Sequence, residues 1–500
     1  MNTQIAPDRT DRVAAATEAV APPALPAAVA EELRAVVGAD GLLTDPGDLL
    51  VYEADGLMLY RVPPRAVVRP QSTDQVARVV RILAREGIPF VPRGAGTGLS
   101  GGALPLGGAV IVCLSRMNRI LSLDPHDRRA RVEAGVITAQ LDRAAAAHGL
   151  TFLPDPGSQT VSTLGGNVAE NAGGPHCLKY GVTMNHVVGL TVVLSDGEVV
   201  ELGGAGETVG YDLLGVFIGS EGTFGLATEI EVRLSPRPEA AETILAIFGE
   251  LADAGRAVSS IIAEGLLPAA MEIIDRETIR AVEESVYAAG YPLDAGAALV
   301  VEFDGPRAGL AAQAQRARAV CEREGAREVR LARDDAERAR LWHGRKKAFG
   351  ALGRLAPDVL IQDAVVPRTR LPEVLARVQD VSRRHGIRIA NFFHAGDGNL
   401  HPNLLFDRRD ETARERVERA SKEIMQACVD AGGTITGEHG VGFDKMRYMP
   451  LIFGPAELRA MAAVKRAFDP AGLCNPGKVV PDVPVPAHPT ATAPGVFRHA

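Results

Sequence analysis

Three stretches between residues 92 and 225 set glycine among short hydroxyl and amide side chains, and they constrain the fold of this 500-residue chain most. The first is Pro92-Arg-Gly-Ala-Gly-Thr-Gly-Leu-Ser-Gly-Gly102. The second runs from Asp155-Pro-Gly-Ser through Thr163-Leu-Gly-Gly-Asn167 and Glu170-Asn-Ala-Gly-Gly174 to Lys179-Tyr-Gly181. The third is Gly219-Ser-Glu-Gly-Thr-Phe-Gly225. Glycine lets backbone N–H groups turn inward and approach a diphosphate closely, with Arg93, Thr97 and Ser100 at hand in the first loop. The hydroxyls and amides suit a long ligand read by neutral hydrogen bonds. Gly96, Gly98 and Gly101 satisfy G-x-G-x-x-G, but a dinucleotide loop of that kind must open a helix. Here Pro105, Gly107 and Gly108 would break one, and after the loop no acidic residue appears before Asp124. One such loop is easily a tight turn; three in one region point to a ligand.

The surrounding pattern is that of an α+β protein. Ser72 and Gln75 make a capping-box pair, Val76, Val79, Val80 and Leu83 share one face, and Gly87 supplies a stop, which predicts a helix over Ser72–Arg85. Ile88–Val91 reads as a strand entering the first loop. Val110–Leu114 and Val188–Leu194 read as strands, and Asp196-Gly197 as a two-residue hairpin turn. Ser235-Pro-Arg-Pro238 marks a boundary. Beyond it strands (Ile244–Phe248, Ala270–Ile274, Ala298–Phe303, Glu328–Leu331) alternate with helices (251–264, 276–289, 308–325, 335–353), as in a sheet covered by helices. A last helix is expected at 455–467. Residues 1–27 and 481–500, rich in Ala and Pro, read as tails. The resulting division is a tail and helix start to 40, a first domain over 41–237, a second over 238–445, and a C-terminal helical segment over 446–480 returning to the first.

Composition excludes several classes. A net charge of −8 argues against a phosphate-backbone partner, and 4% aromatics with Trp342 as the only tryptophan argue against base stacking. Cys113, Cys177, Cys321, Cys428 and Cys474 are dispersed with no C-x-x-C, which argues against an iron–sulfur cluster or a four-cysteine zinc site and suits reduced thiols in a cytoplasmic protein. No apolar run approaches about 18 residues, and the N-terminus has no signal-like apolar stretch.

A second constellation carries chemistry. In Asn391-Phe-Phe-His-Ala-Gly-Asp-Gly-Asn-Leu-His401-Pro-Asn403, His394 and His401 flank a Gly-Asp-Gly-Asn turn, so a hairpin brings the imidazoles together. Thr436-Gly-Glu-His-Gly440 adds a carboxylate. His394, His401 and Glu438 form a three-ligand set that leaves a metal position open, as catalytic divalent sites require. By themselves these residues fit a metallohydrolase too. Asn403 falls on the same strand face as His401. Arg345, in a basic stretch, is a candidate for bidentate carboxylate binding or simply a solvated residue, with His343, Lys346 and Lys347 expected at the surface.

The three glycine loops resemble those of the vanillyl-alcohol-oxidase / p-cresol-methylhydroxylase family. From about residue 40 to 480 the chain is similar to its FAD-linked D-2-hydroxyacid dehydrogenases, the D subunit of glycolate oxidase among them. The resemblance implies a two-part FAD-binding domain, with an α/β substrate domain and a helical C-terminal segment. It implies that Arg93, Gly94, Gly96, Thr97, Gly98, Leu99, Ser100 and Gly101 serve the pyrophosphate. Pro156, Gly157, Ser158, Thr163, Gly165, Gly166 and Asn167 would line the flavin. Asn171, Gly173, Gly174, Tyr180, Gly181, Glu221, Gly222, Gly225 and Asn475 would complete the cofactor site. With no histidine before His126, FAD is expected to be non-covalent. The resemblance further implies a divalent metal, zinc or similar, on His394, His401 and Glu438, with His439 as base and Arg345 on the substrate. The implied reaction is oxidation of a small 2-hydroxy acid, glycolate or D-lactate foremost. Electrons would pass to flavoprotein and iron–sulfur partner subunits or another acceptor, with peripheral membrane association compatible. A non-catalytic FAD-binding subunit is the alternative, but such a paralogue is expected to lack the His-His-Glu-His set.

Overall fold

A computed structural model describes residues 22–204 and 210–482. Of the two expected tails, 1–21 and 483–500 lie outside the described residues. The first module contains two sheets. Strands Leu42–Leu43, Ala66–Val68, Val110–Cys113 and Phe90–Arg93 lie in that order, the last three parallel. A five-stranded antiparallel sheet follows, ordered Ile120–Asp124, Arg129–Glu133, Leu226–Arg233, Val187–Val193, Val199–Gly203. The helix Thr73–Arg85 starts as its sequence dictates: Ser72 Oγ accepts the Gln75 N–H, while Gln75 Oε1 accepts the N–H of Gln71 rather than of Ser72. Such a cap contributes about 1 kcal/mol. Its apolar face, Val76, Val79, Val80 and Leu83, is fully buried and joins Val112 of one sheet to Val192 and Ile230 of the other in a single core. The Asp196-Gly197 hairpin forms, with Val193 opposite Val199 and Gly197 at φ +84°.

The second module is built on an antiparallel sheet ordered Ala326–Leu331, Ala240–Phe248, Ala297–Gly305, Ala270–Asp275, Arg388–His394, Asn399–Leu400, Ala364–Val365. Strand Pro402–Phe406 branches from Arg388–His394 and pairs with Asp358–Ile361. Helices Leu251–Ala263, Leu310–Arg323, Leu371–His385 and Glu411–Asp430 cover one face. Helices Arg276–Glu283, Asp335–Lys346 and Ala348–Leu352 cover the other. The central strands are therefore largely apolar on both faces, with Glu272 and Glu302 as buried exceptions. Two expected helices are shorter than the pattern implied. The one expected over 276–289 stops at Glu283, whose Oε1 collects the N–H groups of Ala289, Gly290 and Tyr291 at 2.8, 3.0 and 3.0 Å. The one expected over 335–353 breaks at Lys347. After helix Pro455–Phe468 the chain rejoins the first module: the Asn475 N–H donates to Phe90 O at 2.8 Å. Among the described residues no helix is long and apolar enough to cross a membrane, and all five cysteines are free.

A buried ionic cluster clamps the two modules. His176 Nδ1 meets Asp155 Oδ1 at 2.7 Å in the first module, and its Nε2 lies 3.7 Å from Glu302 in the second. Trp342, Thr243 and a bidentate Arg338 also bind Glu302, and Lys346 reaches Asp155 at 3.2 Å. Lys346, expected merely at the surface, is thus an inter-module ion pair. Burial opposes the charge on His176, but Asp155 and then Glu302 outweigh it and raise its pKa to about 10. A raised pKa stabilises the fold fully below the unfolded value near 6.5 and is lost as pH rises towards 10. Between pH 7 and 10 His176 should therefore contribute a loss of urea-unfolding stability approaching about 1.4 kcal/mol per pH unit. His176→Gln should subtract that contribution from the pH profile; parallel pH profiles for variant and wild type would refute the clamp.

Candidate active site

A cavity of about 640 Å³ opens between the modules, walled on one side by all three glycine loops and on the other by Arg345, Phe392, His394, His401, Glu438 and His439. The first loop leaves strand Phe90–Arg93 without entering an α-helix, as its glycines and Pro105 required. Gly94 lies so close to Thr163 that a Cβ there would strike its hydroxyl, which is how the first and second loops come to share one wall. Thr163 Oγ1 accepts the Gly166 N–H at 3.3 Å and caps the short helix Leu164–Glu170. At Gly440 (φ +82°) a side chain would collide with Glu170 and Glu221.

Most of the expected cofactor residues line this cavity, but Ser100, Gly101, Asn171, Gly174, Tyr180, Gly181 and Asn475 do not. Several of these hold the wall from behind. Asn475 Nδ2 donates to Gly102 O and Glu221 O at 3.0 and 2.8 Å, tying the first loop to the third. Asn171 takes the left-handed conformation that ends the Leu164–Glu170 helix, and the Tyr180 hydroxyl donates to Asp304. Arg93 lines the cavity, yet its guanidinium donates to Ala54 O at 2.9 Å and lies over the Tyr52 ring, bracing the loop rather than standing free. Glu221 accepts the N–H groups of Val441 and Gly442 at 2.7 and 2.6 Å, joining the third loop to the segment that carries Glu438 and His439.

The hairpin brings the histidines together. His394 pairs with Asn399 across the turn, and the rings of His394 and His401 stand edge-on with centroids 5.2 Å apart. Each has its Nδ1 tied off: His394 to Glu272 Oε1 at 2.7 Å, His401 to the Gln362 carbonyl at 3.1 Å. Each then presents Nε2 to the same oxygen of Glu438, at 3.1 and 3.3 Å. Donor atoms of these three residues lie within 4.8 Å of one another. Fixed tautomers and converging lone pairs are what a divalent ion requires, so the residues fit one. A second cluster, Asp363, His401 and His439, is equally compact but does not fit. Fully buried, Asp363 already accepts from Asn399, Thr436, Lys445 and the backbone of Gly437, Glu438 and His439. Its role is to fix the loop.

His439 stacks on His401 (centroids 4.9 Å, 6°), with its Nε2 3.8 Å from Glu438. Burial pushes its imidazole down to about 4, only partly offset by Asp363, so it is neutral at ordinary pH. Burial also opposes charge on His394, but Glu272 and Glu438 raise that group to about 10: the two carboxylates favour a positive charge between them, carried by a proton on Nε2 in the absence of an ion and by the divalent ion in its place. Arg345 is 6% exposed and lies over the Phe392 ring, not in solvent. The Asn403 amide donates to the carbonyls of Ala390 and His401 and does not line the cavity, so it positions the strand. Glu272 and Asp363 escaped the sequence reading. The available signal was an acid set inside an otherwise apolar strand or run, MEIID and LIQDAVV.

Residues 64–203 match the family described as FAD binding domain, and residues 237–479 match FAD linked oxidases, C-terminal domain. The glycolate oxidase subunit GlcD of Escherichia coli (strain K12) is 45% identical over 447 residues, covering 89% of each chain. The chain belongs to the FAD-linked oxidases. Another relative of this oxidase, a D-lactate dehydrogenase of Anaerostipes hadrus, is 35% identical over 440 residues, 86% of this chain and 92% of that one. The solved structure of p-cresol methylhydroxylase superposes with a TM-score of 0.78 over 90% of this chain and 96% of that one; at 19% identity it speaks for the shared fold alone.

Proposed function

We propose that this FAD-linked oxidase converts a small 2-hydroxy acid, glycolate or D-lactate foremost, into the 2-oxo acid. The reading rests on one observation: the glycine-loop wall and the His394–His401–Glu438–His439 cluster, with Arg345, face a single cavity. FAD, bound without a covalent link, supplies the hydride acceptor, flavin N5. His394, His401 and Glu438 would hold a divalent ion, which would supply the Lewis acidity that a base as weak as His439 needs. Arg345 takes the substrate carboxylate and fixes the substrate's orientation in the cavity. His439 accepts the hydroxyl proton at Nε2, its other nitrogen being buried. The relatives named as subunits support a chain that works with partner subunits; flavoprotein and iron–sulfur partners in the cytoplasm would take its electrons.

An anaerobic panel of 2-hydroxy acids tests this reading directly: glycolate or D-lactate should bleach the flavin, and no bleaching by any member would overturn it. Acid precipitation should release the yellow colour into the supernatant, because no histidine lies near the first loop. Colour retained in the pellet would contradict non-covalent FAD.

A further inference from the structure

We propose that Glu272 is a positioning residue that couples the metal subsite to the carboxylate subsite, an inference resting on the reading above. Glu272 is wholly buried in the middle of strand Ala270–Asp275. It is paired directly across the sheet with His394, so the contact is set by strand register rather than by a loop. Its Oε1 lies 2.7 Å from His394 Nδ1 and its Oε2 lies 2.5 Å from Arg345 Nη2. Among the described residues it is the only carboxylate within ion-pair distance of Arg345. One carboxylate therefore serves two masters on different elements.

Towards His394 it accepts the Nδ1 hydrogen, fixes the tautomer and raises the basicity of Nε2; partners of this kind change metal affinity about 10–100-fold when removed. Towards Arg345 it supplies the counter-charge that lets a guanidinium remain buried at the cavity wall. The two demands compete for the same charge. Whatever draws Arg345 away, including a substrate carboxylate, leaves Glu272 more fully to His394, and by linkage metal binding and anion binding must each shift the other.

Zinc alone, titrated into the chelator-stripped, FAD-loaded enzyme against a chromophoric chelator, tests this without turnover. Glu272→Gln should weaken zinc binding by about 10–100-fold, and Glu272→Asp, which keeps the charge but withdraws it, should restore part of the loss. Arg345→Gln touches no proposed ligand, yet it should tighten zinc binding several-fold. That gain should vanish in the Glu272→Gln background, where there is no carboxylate charge to redirect. The double variant also removes the uncompensated buried guanidinium, so it keeps the test usable if Glu272→Gln alone fails to fold. Equal zinc affinity in wild type and Glu272→Asp/Gln, or the same Arg345→Gln effect in both backgrounds, would overturn the coupling while leaving the metal standing. Absence of zinc binding by the wild type would overturn the metal reading and this inference together.

Discussion

Replacing His439 by Asn should lower the rate of flavin reduction by about 10²–10⁴-fold, roughly 3–5 kcal/mol of transition-state stabilisation. Asn keeps a polar side chain of similar reach but cannot take a proton near neutrality, so substrate affinity should change much less. The pH profile supplies a second readout. Burial holds the imidazole down at about 4, so the protonated, inactive form accumulates only as pH falls towards that value. The wild-type acid limb should accordingly lie well below the ordinary imidazole range near 6.5, and His439→Asn should lack it. Stopped-flow flavin bleaching measures both. Equal rates in variant and wild type would leave the reaction with another base.

Chelation should abolish turnover while the enzyme keeps its yellow colour. The proposed ligands His394, His401 and Glu438 stand on the second-module wall, and the glycine loops that would hold FAD are on the first. His394→Ala and His401→Ala should behave likewise, each removing one converging nitrogen. Glu438→Gln should weaken metal binding, because a neutral amide is a poorer ligand than a carboxylate and the site on which the two imidazoles converge loses its negative charge. Flavin bleaching at the full rate in a demonstrably metal-free preparation would eliminate the ion from the mechanism.

Much of this site was legible in the sequence because its signals are local. Glycines clustered with Ser, Thr and Asn announce backbone that must approach a ligand, and two histidines about a Gly-Asp-Gly-Asn turn must meet if the flanking runs pair. Helix Thr73–Arg85 likewise carried its own cap, face and stop. What escaped depends on residues far apart in the chain. Glu272 is 122 positions from His394, and only the pairing of strands Ala270–Asp275 and Arg388–His394 sets them side by side. Asp363 is 76 positions from His439 and collects donors that no short window contains. Arg345 sat in a basic stretch that looked solvated; tertiary packing over Phe392 and the charge of Glu272 put it in the wall. Asn475, expected at the cofactor, and Asn403, expected among the catalytic residues, instead satisfy backbone carbonyls behind the site rather than facing the cavity. Sequence alone determined which residue types could do the chemistry, since that is covalent identity and local spacing. Only the tertiary structure decided which buried charge faces which partner, because a carboxylate in a low-dielectric interior is stabilised only by groups that the whole fold delivers to it.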